Sequence, residues 1–483
     1  MAYCITVLPQ KVNISAEQGE NLLSCLRRGG VFPDAPCGGQ GTCGKCRVIV
    51  DGQSVLACQT TVERAMTVCI PSPTSPQILT AGIHAVADSA KLGWALAFDI
   101  GTTTVVGFLL RHGAEVACQS RSNPQTAFGA DVISRIGLAV GGHTASLTKC
   151  IRQCLEEIAL SLCRQAGISP DAIDSVCFVG NPAMQQLFLG LSVENLAKLP
   201  FAPVLTEAMY LPAQPHLPCC KNARLLIVPD VSGFVGADTL ACVLACGMAE
   251  SSDMTLLVDI GTNGEMVLGN RHRLLACSTA AGPALEGANI QHGMRGQKGA
   301  IDHVHLENGE FSCSVIGGEK AMGICGSGLI DAAAAALDAG LLNRRGRIQN
   351  DARSIQFTDG ISLSQEDIRQ LQLAKGAIRA GIELLAQQMG ITVDDIHHVY
   401  LAGAFGSFMD AASACRIGLL PPSLAGRITP IGNAAGSGAK MLAANENAPE
   451  LAQKLLDKLE FLELATLPEF PRMFAKQMGF DVK

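Results

Sequence analysis

Four cysteines are the first residues in this chain whose type and spacing could do chemistry. Cys37, Cys43, Cys46 and Cys58 follow the pattern C-x5-C-x2-C-x11-C, and the first three lie in a loop of small residues, Cys-Gly-Gly-Gln-Gly-Thr-Cys-Gly-Lys-Cys. An iron–sulfur cluster needs four converging thiolates and a backbone that can wrap closely and donate N–H groups to the sulfurs. Glycines at 38, 39, 41 and 44 permit that wrapping because they tolerate positive φ. The loop is one residue longer than the plant-type C-x4-C-x2-C pattern, so the spacing predicts a [2Fe-2S] cluster in a slightly different loop. Zinc also accepts four cysteines, but its sites usually pair two short knuckles and only one C-x2-C is present.

A second chemistry lies in two copies of Asp-Ile-Gly-Thr. LAFDIGTTTVVGFLL (96–110) and LLVDIGTNGEMVLG (256–269) each read as strand, turn, strand, and their aspartates, Asp99 and Asp259, are 160 residues apart. Such a turn offers backbone N–H groups and a hydroxyl to phosphate oxygens: Gly101, Thr102 and Thr103 in the first copy, Gly261, Thr262, Asn263 and Gly264 in the second. An aspartate at the strand end can hold Mg2+ through water, since magnesium keeps part of its hydration shell. A later segment, VYLAGAFGSFMD (399–410), runs an apolar strand into Gly403-x-x-Gly406, where the backbone could approach an adenosine closely or simply pack helix on strand. GICGSGLID (323–331) opens a helix with Gly326 and Ser327, a possible ribose or anion contact. Asp230, 29 residues before Asp259, reads either as a general base or as a turn or N-cap aspartate. Asn181, after an apolar strand, is a further polar candidate.

The elements that must position these groups divide the chain. Residues 1–72 alternate short strands and tight turns, with helical spacing of Leu22, Leu23 and Leu26 between Gly19 and Arg28. A second hairpin flanks Asp51-Gly52, the chemistry of a type I′ turn, and its returning strand carries the fourth thiolate. Hairpin, helix, loop, hairpin is the order of a β-grasp ferredoxin. PSPTSP (71–76) lies in a stiff connection to residue 92. From 93 the texture is α/β, with one lobe predicted over 93–250 and a second over 251–483 that ends in helices.

Composition excludes several classes. The chain has 483 residues, 48% hydrophobic and 16% charged, so it can bury large cores. Aromatics are 4% and the net charge is −7, which argues against a nucleic-acid partner. No basic apolar leader and no run of about 18 apolar residues is found, so a cytoplasmic protein without membrane spans is predicted. Twenty cysteines there do not form a disulfide framework. Most outside the quartet, such as Cys118, Cys177, Cys242 and Cys277, read as small buried hydrophobes, and such free use of thiols suits an anaerobic cell.

The order of two phosphate turns and a late glycine loop resembles the superfamily of acetate and sugar kinases, Hsp70 and actin. The fold expected is therefore multidomain: an N-terminal β-grasp ferredoxin plus a two-lobed α/β ATPase module. Joined to a [2Fe-2S] domain, PCGGQGTCGKC, FDIGTTTVVGFL, FGADVISRI, VGNPAM, VDIGTNGEM, GICGSGLID, LAGAFG and IGNAAGSGAK resemble the reductive activators of corrinoid proteins in anaerobic methyltransferase and O-demethylase systems. That resemblance implies a corrinoid protein as partner, a low-potential electron donor, and ATP with Mg2+ as cofactors beside the cluster. It implies return of an inactive Co(II) corrinoid to Co(I) by one electron. Larger members carry an extra middle domain for which a connection of about 20 residues leaves no room, which puts a dimer built through it in doubt. No cysteine follows Gly438, so no second, C-terminal cluster is expected. The rival readings are an ATP-driven activase of another metalloenzyme, a small-molecule kinase with a redox-sensing domain, and a plain electron-transfer protein.

Overall fold

The computed structural model describes residues 2–8, 11–31, 33, 35, 39, 41, 46–70, 80–83, 93–129, 131–261, 263–318, 320–349 and 353–480. Cys37, Cys43, Thr262, Gly38, Gly44 and the PSPTSP segment lie outside the described residues.

The N-terminal domain comprises β1 (Ala2–Leu8), β2 (Val12–Glu17), α1 (Leu22–Arg28), β3 (Arg47–Val50), β4 (Gln53–Leu56) and β5 (Met66–Cys69). Its sheet has the order β2-β1-β5-β3-β4, with β1 and β5 parallel. Leu22, Leu23 and Leu26 are buried on the side of α1 that faces this sheet, as their spacing predicts. Asp51 and Gly52 both have positive φ, 48° and 88°, the requirement of a type I′ turn between β3 and β4. The domain has its own hydrophobic cluster.

The first lobe contains β6 (Trp94–Ile100), β7 (Thr104–Arg111), β8 (Ala114–Ser122), α2 (Val132–Leu138), α3 (Thr144–Ala166), β9 (Ile173–Gly180), α4 (Pro182–Leu189), β10 (Met209–Pro212), β11 (Arg224–Ile227) and α5 (Ala237–Cys246). The second begins with β12 (Thr255–Ile260), β13 (Gly264–Asn270) and β14 (Arg273–Thr279). An excursion follows through β15 (Ala300–Glu307), β16 (Glu310–Val315), β17 (Gly323–Ile324), α6 (Gly326–Asp338), β18 (Ser354–Thr358) and β19 (Ile361–Ser364). The lobe closes with α7 (Gln365–Gln388), β20 (His398–Ala402), α8 (Gly403–Phe408), α9 (Ala411–Arg416), β21 (Ile428–Gly432), α10 (Ala434–Ala444), α11 (Ala448–Lys458), β22 (Leu459–Phe461) and α12 (Phe470–Gln477).

The two central sheets repeat one plan. Their orders are β10-β11-β9-β6-β7-β8 and β21-β20-β12-β13-β14-β22. In each, an antiparallel hairpin carries the Asp-Ile-Gly-Thr turn, and two strands are added in parallel beside its first strand. The repeat seen in the sequence is thus a repeat of topology.

Each sheet has an outer core, packed by α3 and α4 in the first lobe and by α6 and α7 in the second. Between the sheets lies a third core built on α5 and α10, and α10 packs on β6, β7 and β9 of the first lobe although it follows β21 in the chain. The two helices cross at a glycine: a Cβ on Gly438 would sit 2.1 Å from the Ala241 carbonyl oxygen. Among the described residues, no helix is long and apolar enough to cross a membrane. Cys177, Cys242 and Cys277 are buried as expected, while Cys118 is half-buried.

Gly438→Val should therefore force the crossing helices apart and destabilise the ATPase module by about 2–3 kcal/mol. Calorimetric unfolding checks this, with visible absorption of the cluster unchanged; an unaltered thermal midpoint would refute the crossing as a packing constraint.

Candidate active site

Both phosphate turns are tied down from behind. In the first, Asn123 is buried; its side-chain N–H donates to the Gly101 carbonyl at 2.8 Å and its backbone N–H to Thr103. The buried Arg135 guanidinium donates to the Thr102 carbonyl at 2.5 Å and to the Gly129 carbonyl at 2.8 Å. Asn181 caps α4 by accepting from the Met184 N–H and donates its amide to the Thr102 hydroxyl at 3.2 Å. In the second turn the Gly261 N–H donates to the Asn263 carbonyl at 2.8 Å, and Asn263 shares a hydrogen bond with Glu265.

Asp99 and Asp259 end the corresponding strands β6 and β12, and each is half-buried. The Asn433 side chain, which caps α10, donates from its amide to Asp99 Oδ2 at 2.9 Å. Gly403 has φ +79°, and a Cβ there would stand 2.7 Å from Asp259 Oδ1, so only glycine lets the β20–α8 junction lie against this carboxylate. Gly406 serves differently. It is buried and packs on Leu401, a helix-on-strand contact. Gly264 packs against Thr279 and Ile378.

A third carboxylate joins these two. Asp238, in the first turn of α5, faces Asp99, Asp259 and Glu265 closely enough to raise the pKa of each. Burial and the Asp238 charge push Asp99 up to about 7, against the Asn433 hydrogen bond and with a smaller push from Asp259. Burial and Asp238 likewise raise Asp259 to about 7. Asp238 itself is raised to about 6 by burial, restrained by hydrogen bonds from backbone N–H groups and Thr239. Glu265 on β13 is raised well above the usual range, by burial first and then by Asp238 and Asp259. Like charges in one poorly solvated cleft are the arrangement a cation or a phosphoryl group bound with its metal would relieve.

Asp230 lies on the segment that leads into α5. It is 2% exposed and accepts from Gln185 Nε2 at 2.5 Å, while its N–H donates to the Leu205 carbonyl. Gly326 packs on the Leu285 carbonyl and the Phe405 ring. Ser327 is buried with its hydroxyl donating to the Asp302 carbonyl at 2.9 Å.

Comparison with known proteins draws the two halves together. Residues 5–67 match a 2Fe-2S iron–sulfur cluster binding domain, residues 94–251 the RACo middle region, and residues 253–482 the C-terminal domain of RACo, the ASKHA domain. The corrinoid activation enzyme RamQ of Eubacterium limosum is 36% identical over 418 residues, 80% of this chain and 70% of that protein. A Co(II) methylated amine-specific corrinoid protein reductase of Methanosarcina barkeri is 28% identical over 352 residues, 65% of this chain and 64% of that protein. A solved reductive activator for corrinoid, iron–sulfur protein superposes with a TM-score of 0.71 at 27% identity, covering 99% of this chain and 98% of that one. The chain belongs to the RACo family of reductive corrinoid activators.

As a member of that family it carries out ATP-dependent reductive activation of corrinoid proteins through its [2Fe-2S] domain. The family's middle region matches residues 94–251, the first lobe, and leaves the connection before residue 93 outside the match. The described part of the cluster loop fits the cofactor. The Cys58 N–H points at Cys46 Sγ at 3.5 Å, the kind of donor that cluster thiolates use. Asn21 holds the Cys58 carbonyl at 2.9 Å, fixing the short helical turn 57–59. Gly39 and Gly41 have φ of 103° and 78°, and a Cβ on Gly41 would meet Gln59 at 2.8 Å, so Gly41 lies against the turn that bears Cys58.

Asp238, Glu265, Asn433, Asn123 and Arg135 were not singled out from the sequence as site residues. Asp238 had a usable signal, an acid in the first turn of a helix opening at Gly236. The others act across long sequence separations that one chain does not reveal.

The carboxylates predict a pH dependence in the absence of nucleotide. A carboxyl whose pKa is raised on folding contributes stability that is complete below its unfolded pKa and is lost as pH rises toward its folded pKa. With Asp99 and Asp259 at about 7 and Asp238 at about 6, stability should fall between roughly pH 4 and pH 7. Asp238→Asn should flatten that fall, which urea midpoints at about pH 5 and about pH 8 would measure; an unchanged slope would refute the coupling.

Proposed function

We propose that ATP bound between the two Asp-Ile-Gly-Thr turns is hydrolysed to drive one electron from the ferredoxin domain to the Co(II) corrinoid of a methyltransferase-type corrinoid protein, giving Co(I). The observation that carries this reading is the meeting of Asp99, Asp259 and Asp238 in one cleft of a chain that also holds a cluster-type loop. The cluster, when bound through Cys37, Cys43, Cys46 and Cys58, supplies one-electron carriage.

The turns do the binding. Backbone N–H groups at Gly101–Thr103 and Asn263, with the Thr102 hydroxyl, bind phosphate oxygens, while the Gly261 N–H stays on the Asn263 carbonyl and holds the second turn. Asp99 and Asp259 suit Mg2+ through water, because they are oxygen donors whose mutual repulsion a dication relieves. Asp238 orients the attacking water and accepts its proton. Its place in the first turn of α5, facing both Asp99 and Asp259, sets it where that water would stand. Gly403 admits the nucleotide's close approach beside Asp259. Asp230, closed off by Gln185, acts as a strut of the loop that delivers Asp238. Gly326 and Gly406 shape the walls around these groups, and the Ser327 hydroxyl remains with the Asp302 carbonyl.

The energetic need is specific. A [2Fe-2S] ferredoxin lies near about −400 mV. A shortfall of about 200 mV against Co(II)/Co(I) would be a factor of roughly 10³ for one electron. Nucleotide can supply it only by changing the affinity of this protein for the two states of its partner. The electron itself comes from a low-potential donor outside the chain.

The test is anaerobic. Reduced protein and a Co(II) corrinoid protein should develop the Co(I) absorption band only with Mg-ATP. Asp259→Ala should lower ATP hydrolysis about 10²-fold and abolish the band, whereas Cys58→Ser should abolish the band and the cluster spectrum alone. A Co(I) yield independent of ATP would overturn the coupling, and hydrolysis without Co(I) would point to another metalloenzyme client.

A further inference from the structure

Residues 80–83 lie between the ferredoxin domain and the first lobe in the chain, yet they are bound to both lobes at once. On the first lobe, the Thr80 side chain shares a hydrogen bond with the Cys118 thiol of β8. On the second, Gly82 makes an antiparallel bridge to Gly432 at the end of β21, and the Ala81 carbonyl accepts from the Asn433 N–H at 2.9 Å. Ile83 packs into the core between the sheets. The fit at Gly82 leaves no room for a side chain, since a Cβ there would stand 2.4 Å from both the Asn433 carbonyl oxygen and Ser437 Oγ. Gly432 is equally confined, with φ +65° and a Cβ that would meet the Ala81 carbonyl at 2.3 Å.

Asn433 is the residue where this contact meets the active site. Its backbone N–H holds the Ala81 carbonyl of the connection, while its side chain reaches across to Asp99 Oδ2 of the first lobe at 2.9 Å. A groove of 620 Å³ beside this segment, lined by Ile83, Cys246, Tyr400 and Ile431 among others, runs along the same edge. One asparagine therefore touches the first phosphate turn, caps the central helix α10 and grips the chain leading to the cluster.

We propose that residues 80–83 form a strap that reports the nucleotide state of the cleft to the ferredoxin domain. This rests on the reading of the cleft as the nucleotide site. The strap is satisfied only in the arrangement in which β8 and the end of β21 stand as they do here, so it favours that arrangement over any other. Nucleotide spanning the turns of Asp99 and Asp259 favours the same arrangement, because it binds both lobes. Two ligands that favour one state reinforce each other, and the coupling is reciprocal. A docked strap anchors the chain leading to the ferredoxin domain at residues 80–83; a released strap gives up that anchor.

Amide hydrogen exchange on the full-length protein tests this. Adding AMPPNP with Mg2+ should slow exchange of the peptides covering 80–83 and 432–433 by about tenfold. Thr80→Val, which keeps the side-chain volume and removes the hydroxyl bonded to Cys118, should speed exchange at 80–83 and weaken AMPPNP binding several-fold by calorimetry. Exchange at 80–83 that ignores bound nucleotide overturns the strap while leaving the nucleotide site intact. Thr80→Val that speeds exchange without changing nucleotide affinity also overturns it. No nucleotide binding by the unmodified protein overturns the reading of the cleft, and the strap with it.

Discussion

The crossing of α5 and α10 is the constraint on which the rest of the ATPase module depends. Two twisted sheets can share a single core only if the helices between them pass close together. They do so here because Gly438 presents no side chain to the Ala241 carbonyl. Once the crossing is fixed, the N-termini of both helices are delivered to the cleft. The first turn of α5 brings Asp238, and the cap of α10 brings Asn433. Neither residue belongs to a phosphate turn, yet Asp238 faces the aspartates of both turns and Asn433 reaches Asp99 of the other lobe. The apolar packing behind the cleft thus sets the polar geometry within it.

That geometry is held at an electrostatic cost. Asp99, Asp238, Asp259 and Glu265 are gathered in one half-buried cleft, and burial is the largest cause of every one of their raised pKa values. Charges so placed destabilise the empty protein and are relieved by a bound cation. The surroundings compensate with neutral donors rather than with basic side chains: Asn433 on Asp99, Asn263 on Glu265, and backbone N–H groups on Asp238. A lysine or arginine would neutralise the cluster permanently and remove the gain from binding a dication. Arg135, the buried cation nearest the first turn, is instead spent on the Thr102 and Gly129 carbonyls, where it shapes the backbone.

The sequence made the repeated strand-turn-strand units legible because their signal is local: an apolar run, Asp-Ile-Gly-Thr, and a second apolar run. The same holds for α1 and the Asp51-Gly52 turn, where periodicity and turn chemistry act within a few residues. Asp230 shows the limit. Asp230 precedes α5 and Asp238 lies in its first turn, and the acid at a helix start was the one sequence signal that favoured the second. Gln185, 45 residues away, engages Asp230, while the helix start at Gly236 sets Asp238 beside Asp99 and Asp259. Gly403 and Gly406 differ for a similar reason. Both are glycines of one short motif, but the first is required by a carboxylate from another strand and the second by the strand just before it.

The division of cores bears on how an electron carrier and an ATPase can share one chain. The ferredoxin domain has a hydrophobic cluster of its own, distinct from the three of the ATPase module. A rearrangement of the lobes therefore need not deform the Cys58 N–H to Cys46 contact. What the proposed strap lets the lobes alter is the anchoring of the chain that leads to the domain. For a tethered carrier that is the more useful variable, because the effective concentration of the domain at a docking partner depends steeply on the length of free chain. A carrier with constant chemistry and adjustable reach separates the redox potential of the cluster from the gating of its use.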